Sequence, residues 1–70
     1  MNRYFFNGRE VSRNRAVYIW HESKTYRMAN RRIRGYIFIN ADKGKTDGGE
    51  EAHLAEAGIT IQREKASAVD

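Results

Sequence analysis

Arg3-Tyr4-Phe5-Phe6-Asn7-Gly8-Arg9-Glu10-Val11 places two short strand-prone runs on either side of an Asn-Gly pair. Asn-Gly tolerates positive φ at both central positions of a tight turn, the geometry whose twist matches that of two antiparallel strands. The stretch therefore predicts a β-hairpin, and the rest of the chain is read outward from it. Ser12 follows as a helix N-cap, with Val11 before it and Ala16 four residues beyond, the spacing of a hydrophobic staple. A helix is expected from about Arg13.

At 100° per residue, Ala16, Val17, Ile19, Trp20 and Ser23 share one side of that helix, and Asn14, Arg15, Tyr18, His21 and Glu22 lie opposite. The apolar side is assigned to the core, Trp20 included. Ser23-Lys24-Thr25 interrupts the pattern. Thr25 is a candidate cap for a second helix that begins at Tyr26 and reaches at least Tyr36. Its apolar side would be Tyr26, Ala29, Ile33, Tyr36 and Ile37. Arg27, Arg31 and Arg34 would stack at i, i+4 and i+7 on the other side, flanked by Arg32 and Asn30. The run Tyr36-Ile37-Phe38-Ile39 after Gly35 is also compatible with a buried strand; the helix is the reading taken.

Ala41 to Gly49 contains three glycines and is expected to be a mobile loop. Asp47 with Glu50 three residues later resembles a capping box and should open a short helix through Ala57. Gly58 stands where a left-handed C-terminal cap belongs. Ile59-Thr60-Ile61-Gln62-Arg63 alternates with period two, which predicts a strand completing the sheet. The expected fold is α+β, a small antiparallel sheet built from the N-terminal hairpin plus the C-terminal strand, with two to three helices packed on one face. Residues 1–64 form the single domain, and residues 65–70 are expected to be a flexible tail. The expected core comprises Tyr4 or Phe5, Phe6, Val11, Val17, Ile19, Trp20, Ile33, Ile37, Leu54, Ile59 and Ile61.

Seventy residues allow one domain, and a chain of that size buries only about 60% of its unfolded surface. It has no cysteine, so disulfides and thiolate metal sites are excluded and nothing marks an oxidising compartment. No apolar run approaches the roughly 20 residues of a membrane span, and the first residues lead into a polar turn instead of a signal sequence. A cytoplasmic protein without membrane attachment is expected. Thirteen Lys and Arg against nine Asp and Glu give +4, but the distribution is lopsided. Residues 1–40 carry nine bases and two acids, net +7; residues 41–70 carry four bases and seven acids, net −3. Most of the bases are arginine, which suits bidentate contact with carboxylate or phosphate.

Gly44-Lys45-Thr46 matches the end of a phosphate-binding loop, but the required first glycine is replaced by Ile39. Glu50 and His53 share the spacing of carboxylate-bridged metal bundles without the second motif such sites need. Two histidines alone do not close a metal site. With no cysteine nucleophile, no serine beside a recognisable base and no paired carboxylates in a cleft, no enzyme activity, cofactor or metal is expected. The candidate binding residues are Arg27, Asn30, Arg31, Arg32 and Arg34, together with Tyr18 and His21 on the polar side of the first helix. No acid lies between Glu22 and Asp42, so pairing within a helix cannot neutralise the arginines. A merely solvated helix face is the alternative reading of the same pattern, and an ordinary exposed aromatic is the alternative for Tyr18.

The opening Tyr4-Phe5-Phe6-Asn7-Gly8-Arg9-Glu10-Val11-Ser12, in a layout of hairpin, helices and terminal strand, looks like small accessory proteins of phages and mobile elements, some of them anti-CRISPR proteins. The resemblance carries over no functional residue. It implies a stoichiometric inhibitor that blocks a host protein or nucleoprotein complex, its basic side facing an acidic patch or guide RNA. Direct binding of DNA or RNA phosphates through the same arginines is the alternative function.

Overall fold

The computed structural model describes residues 1–63; the expected tail at 65–70 lies outside them. β1 (Arg3–Phe6) and β2 (Arg9–Val11) form the hairpin, with Asn7 at φ 51° and Gly8 at φ 83°, as a type I′ turn demands. β3 (Ile59–Gln62) pairs antiparallel with the other side of β1, giving the order β2-β1-β3. Tyr4 stands between Val11 and Ile61, and Phe6 between Arg9 and Ile59. Period-two alternation therefore turns Tyr4, Phe6, Val11, Ile59 and Ile61 toward the helices. Phe5, between Glu10 and Thr60, takes the opposite face under the Arg3 guanidinium. Of the two aromatics considered for the core, Tyr4 is the one buried.

α1 (Arg13–Glu22) begins as expected: the Ser12 hydroxyl accepts from the Arg15 amide at 3.1 Å. Ser23 then closes α1 and opens α2 (Lys24–Met28). Its hydroxyl donates to the Trp20 carbonyl at 2.7 Å and accepts from the Tyr26 amide at 3.0 Å. The cap is thus Ser23 and not Thr25.

The long second helix does not form. α2 stops at Met28, Ala29 is extended (φ −77°, ψ 163°), and α3 (Arg34–Lys43) starts separately. Asn30 makes the break: its side-chain oxygen accepts from the Arg32 amide at 2.8 Å, and its carbonyl accepts from Ile33 and Arg34 at 3.1 and 2.9 Å. Asparagine competes in this way with helix continuation. The break also spares the chain a helix in which Arg27, Arg31 and Arg34 repel one another with no carboxylate between. In α3 the inward residues are Ile37, Phe38 and Ala41. Ile33, expected in the core, is 49% exposed, and Tyr36, expected on the apolar side, is 62% exposed. The run 36–39 is helical, and the expected loop at Ala41 starts only after Lys43. Gly44 (φ 90°) ends α3, its amide bonded to the Ala41 carbonyl and the Lys45 amide to the Asn40 carbonyl, the paired bonds of a Schellman cap.

α4 (Glu50–Glu56) is capped by Gly49, not Asp47. Glu50 still reaches back, accepting from the Gly48 amide at 3.0 Å. Gly58 has the expected left-handed backbone (φ 84°), and a Cβ there would sit 2.5 Å from the Asn7 side-chain oxygen and 3.1 Å from the Phe6 ring. Gly58→Ala therefore meets both a conformational penalty and a clash against the hairpin turn. A loss of about 2 kcal/mol is expected in urea denaturation, with Ala57→Gly as a control lacking the clash.

The core holds Tyr4, Ala16, Trp20, Ile37, Phe38, Ala41, Leu54 and Ile59, with Phe6, Val11, Val17, Ile19 and Ile61 packed against it. A polar hub ties its open end. Asp42 accepts from the Tyr4 hydroxyl at 2.6 Å and the Asn2 amide at 2.8 Å and pairs with Arg13 at 2.8 Å. Strand β1, the start of α1 and the end of α3 meet on one carboxylate.

Candidate binding surface

Tyr26 organises the basic corner of the molecule. As part of α2 it is carried against α1 by the double cap at Ser23, and Trp20 meets its ring edge-on at 5.5 Å between centroids. His21 lies 4.7 Å from the same ring. The Arg34 guanidinium sits over it, 4.7 Å from the centroid, within the range of a cation–π contact. Arg34 also reaches the Arg27 carbonyl at 3.5 Å, and Arg27 the Glu22 carbonyl at 3.5 Å, both at the outer limit of hydrogen bonding. Arg31 and Arg32 project from the turn between α2 and α3 and are exposed.

Two other basic side chains are spoken for differently. Arg3 pairs with Glu10, which raises the guanidinium pKa and lowers that of the carboxyl, and Arg63 pairs with Glu51 at 3.1 Å. Arg13 is held by Asp42. Among the described residues, the other six arginines, Arg9, Arg15, Arg27, Arg31, Arg32 and Arg34, have no carboxylate within salt-bridge distance, and four of these six fall between residues 27 and 34.

The structure brings His21 and Arg34 together on the Tyr26 ring, ties Arg34 to the Arg27 carbonyl and keeps Arg31 and Arg32 on the adjoining turn. It does not build the expected ladder along one helix. Asn30 is used as the turn-former through its oxygen. Tyr18 is 57% exposed; Arg15 lies over its ring, and it lines a separate open groove of about 470 Å³ with Phe6, Ile19, Lys24, Glu56 and Ala57. The role of Tyr26 as the platform for Arg34 was hidden in the sequence, where it reads only as part of the apolar side of the second helix. Its signal was the aromatic one turn beyond a cap, beside a histidine on the preceding helix.

The other motifs are committed locally. Gly44 closes a helix instead of opening one, contrary to a phosphate-binding loop. Glu50 binds the Gly48 amide, and a ring nitrogen of His53 lies 2.9 Å from the Gly49 carbonyl. No described helix is long and apolar enough to cross a membrane. No family model, curated protein or solved structure matches the chain.

Proposed function

We propose that the chain is a non-enzymatic binding protein whose arginine-rich corner, between α2 and α3, occupies an acidic surface on a protein partner. The observation that carries this reading is the concentration of Arg27, Arg31, Arg32 and Arg34 within eight residues of chain, none with a carboxylate partner. Unpaired guanidinium groups favour carboxylate-rich or phosphate-rich partners. The helix break weighs against a nucleic acid, because no continuous recognition helix carries Arg27, Asn30, Arg31 and Arg34 into a groove. Exposed Ile33, Tyr36 and Ile39 beside the arginines suit a protein interface, where aromatic and arginine residues dominate binding energy. On the resemblance to phage accessory proteins, the partner is a host protein or nucleoprotein complex, and binding blocks it.

Binding of poly-glutamate and of labelled duplex DNA, each titrated at two salt concentrations, tests the assignment. The parent is expected to bind poly-glutamate, and the Arg27→Ala, Arg31→Ala, Arg34→Ala variant to bind it at least tenfold more weakly with unchanged far-UV circular dichroism. Tighter binding to DNA, with a salt slope near −0.9 per phosphate contacted, would instead identify the nucleic acid as the partner.

A further inference from the structure

The tip of the hairpin carries a reactive pair. Asn7 and Gly8 are both exposed, and nothing lies within 4 Å of the position that a Cβ on Gly8 would take. The Asn7 backbone amide is engaged, donating to the Gly58 carbonyl at 2.8 Å. The Asn7 side-chain amide and the Gly8 backbone N–H are not; among the described residues neither has a hydrogen-bond partner. Asp47-Gly48 is the other acidic or amide residue followed by glycine, and there the Gly48 N–H is held by the Glu50 carboxylate at 3.0 Å. Only at Asn7-Gly8 is the backbone nitrogen of the pair left open to react.

We propose that Asn7 is a site of spontaneous covalent modification, a deamidation through a cyclic imide that loosens the central strand of the sheet. The Gly8 nitrogen attacks Cγ of Asn7; the N–Cγ bond forms, the Cγ–Nδ2 bond breaks, and the proton lost by Gly8 leaves with the ammonia. Glycine permits the approach because no Cβ crowds its nitrogen. Water then opens the ring at one of its two carbonyls. Cleavage of the new N–Cγ bond gives aspartate, whereas cleavage of the original peptide bond gives isoaspartate, with the main chain rerouted through Cβ and Cγ. Closing the ring requires Asn7 to rotate out of the turn, which an exposed hairpin tip reaches by local opening. Either product places a new carboxylate at a side chain that lies against Gly58. Isoaspartate also lengthens the two-residue loop by one main-chain carbon, and loop length fixes hairpin register. Phe6 stands beside the loop, opposite Arg9 on one side and Ile59 on the other, so both ladders of β1 are disturbed.

The test is to incubate the folded chain in mildly alkaline buffer and weigh the tryptic peptide of residues 4–9, released by cleavage after Arg3 and Arg9. A digest at time zero sets the baseline. A gain of about 1 Da is expected in that peptide, together with methyl transfer to it by an isoaspartyl methyltransferase. Asn7 should convert about tenfold faster than Asn2, Asn14, Asn30 and Asn40, each followed by arginine or alanine, residues whose Cβ hinders the attack. A peptide that keeps its mass, another asparagine that converts first, or a product holding aspartate without isoaspartate would overturn the proposal. The modified chain, separated by ion exchange, should unfold at a lower urea concentration than the fresh chain. Asn7→Gly, which suits the same turn, should age with no change in its midpoint. Equal midpoints for the fresh and modified parent, or the same decline in the Asn7→Gly variant, would remove the link between this residue and the sheet.

Discussion

Trp20→Ala is expected to lower the unfolding free energy by about 3–5 kcal/mol, the range for truncating a large aromatic in a packed core. Trp20 is fully buried where three helices meet. It lies on α1, touches Tyr26 of α2 edge-on, and its indole N–H points to the Arg34 carbonyl at the start of α3 at 3.4 Å. At that distance the hydrogen bond is weak, so the loss comes from packing and the cavity left behind. A small domain has on the order of 5 kcal/mol to lose, so the variant should be largely unfolded near physiological temperature. Far-UV circular dichroism during urea denaturation measures this after the only tryptophan is gone. Trp20→Phe, which refills part of the space, should recover more than half of the loss. A loss below about 1 kcal/mol for the alanine variant would mean that Trp20 is not the centre of the core.

Asp42→Ala is expected to cost about 2–3 kcal/mol, because it strips an acceptor from Tyr4, Asn2 and Arg13 together. The same carboxylate makes stability depend on pH. Burial acts to raise its pKa, but the hydrogen bonds from Tyr4, Arg13 and Asn2 outweigh burial and hold it below the ordinary value. Burial, reinforced by the bond to Asp42, raises the Tyr4 pKa and keeps its hydroxyl a donor. A depressed carboxylate stabilises the fold above its unfolded pKa of about 4, and that contribution is lost as pH falls through the lower folded value. Urea denaturation at pH 7 and on descent below about pH 4 should therefore show the parent losing stability more steeply than Asp42→Asn, which cannot titrate. Glu10, also depressed by its pairing with Arg3, leaves a residual slope in the variant. Equal slopes in the two proteins would remove Asp42 as a source of acid sensitivity.

The sheet was legible because its signals are local. Asn7-Gly8 dictates a turn, Ile59 to Gln62 alternates, and Gly58 needs a left-handed backbone, so each follows from a few neighbouring residues. The first helix was legible for the same reason, through Ser12 and the phase of Ala16 and Trp20. The middle of the chain was not. Arg27, Arg31 and Arg34 do fall at helical spacing, but Asn30 offers its side chain to the Arg32 amide, and a pattern of apolar positions does not register that competition. Restarting the helix at Arg34 shifts the phase, so Phe38 and Ala41 replace Ile33 and Tyr36 inside. Four consecutive apolar residues, Tyr36 to Ile39, exceed what one face of a helix can bury, and that excess was the readable sign of an outward apolar strip. The arginines were singled out by the absence of nearby acids in the sequence, and Arg27, Arg31, Arg32 and Arg34 indeed have no carboxylate partner among the described residues. Their arrangement around Tyr26 depends on contacts between α1, α2 and α3, which no single window of sequence contains.

Affinity capture from a nuclease-treated host lysate, with the parent and the Arg27→Ala, Arg31→Ala, Arg34→Ala variant side by side, decides whether the α2–α3 corner meets a protein. The parent is expected to retain one acidic protein in a 1:1 complex that survives both nuclease and moderate salt, and the variant to lose it. Recovery that vanishes with nuclease treatment, or the same protein held equally by the variant, would contradict the assignment of the α2–α3 corner as a surface for an acidic protein.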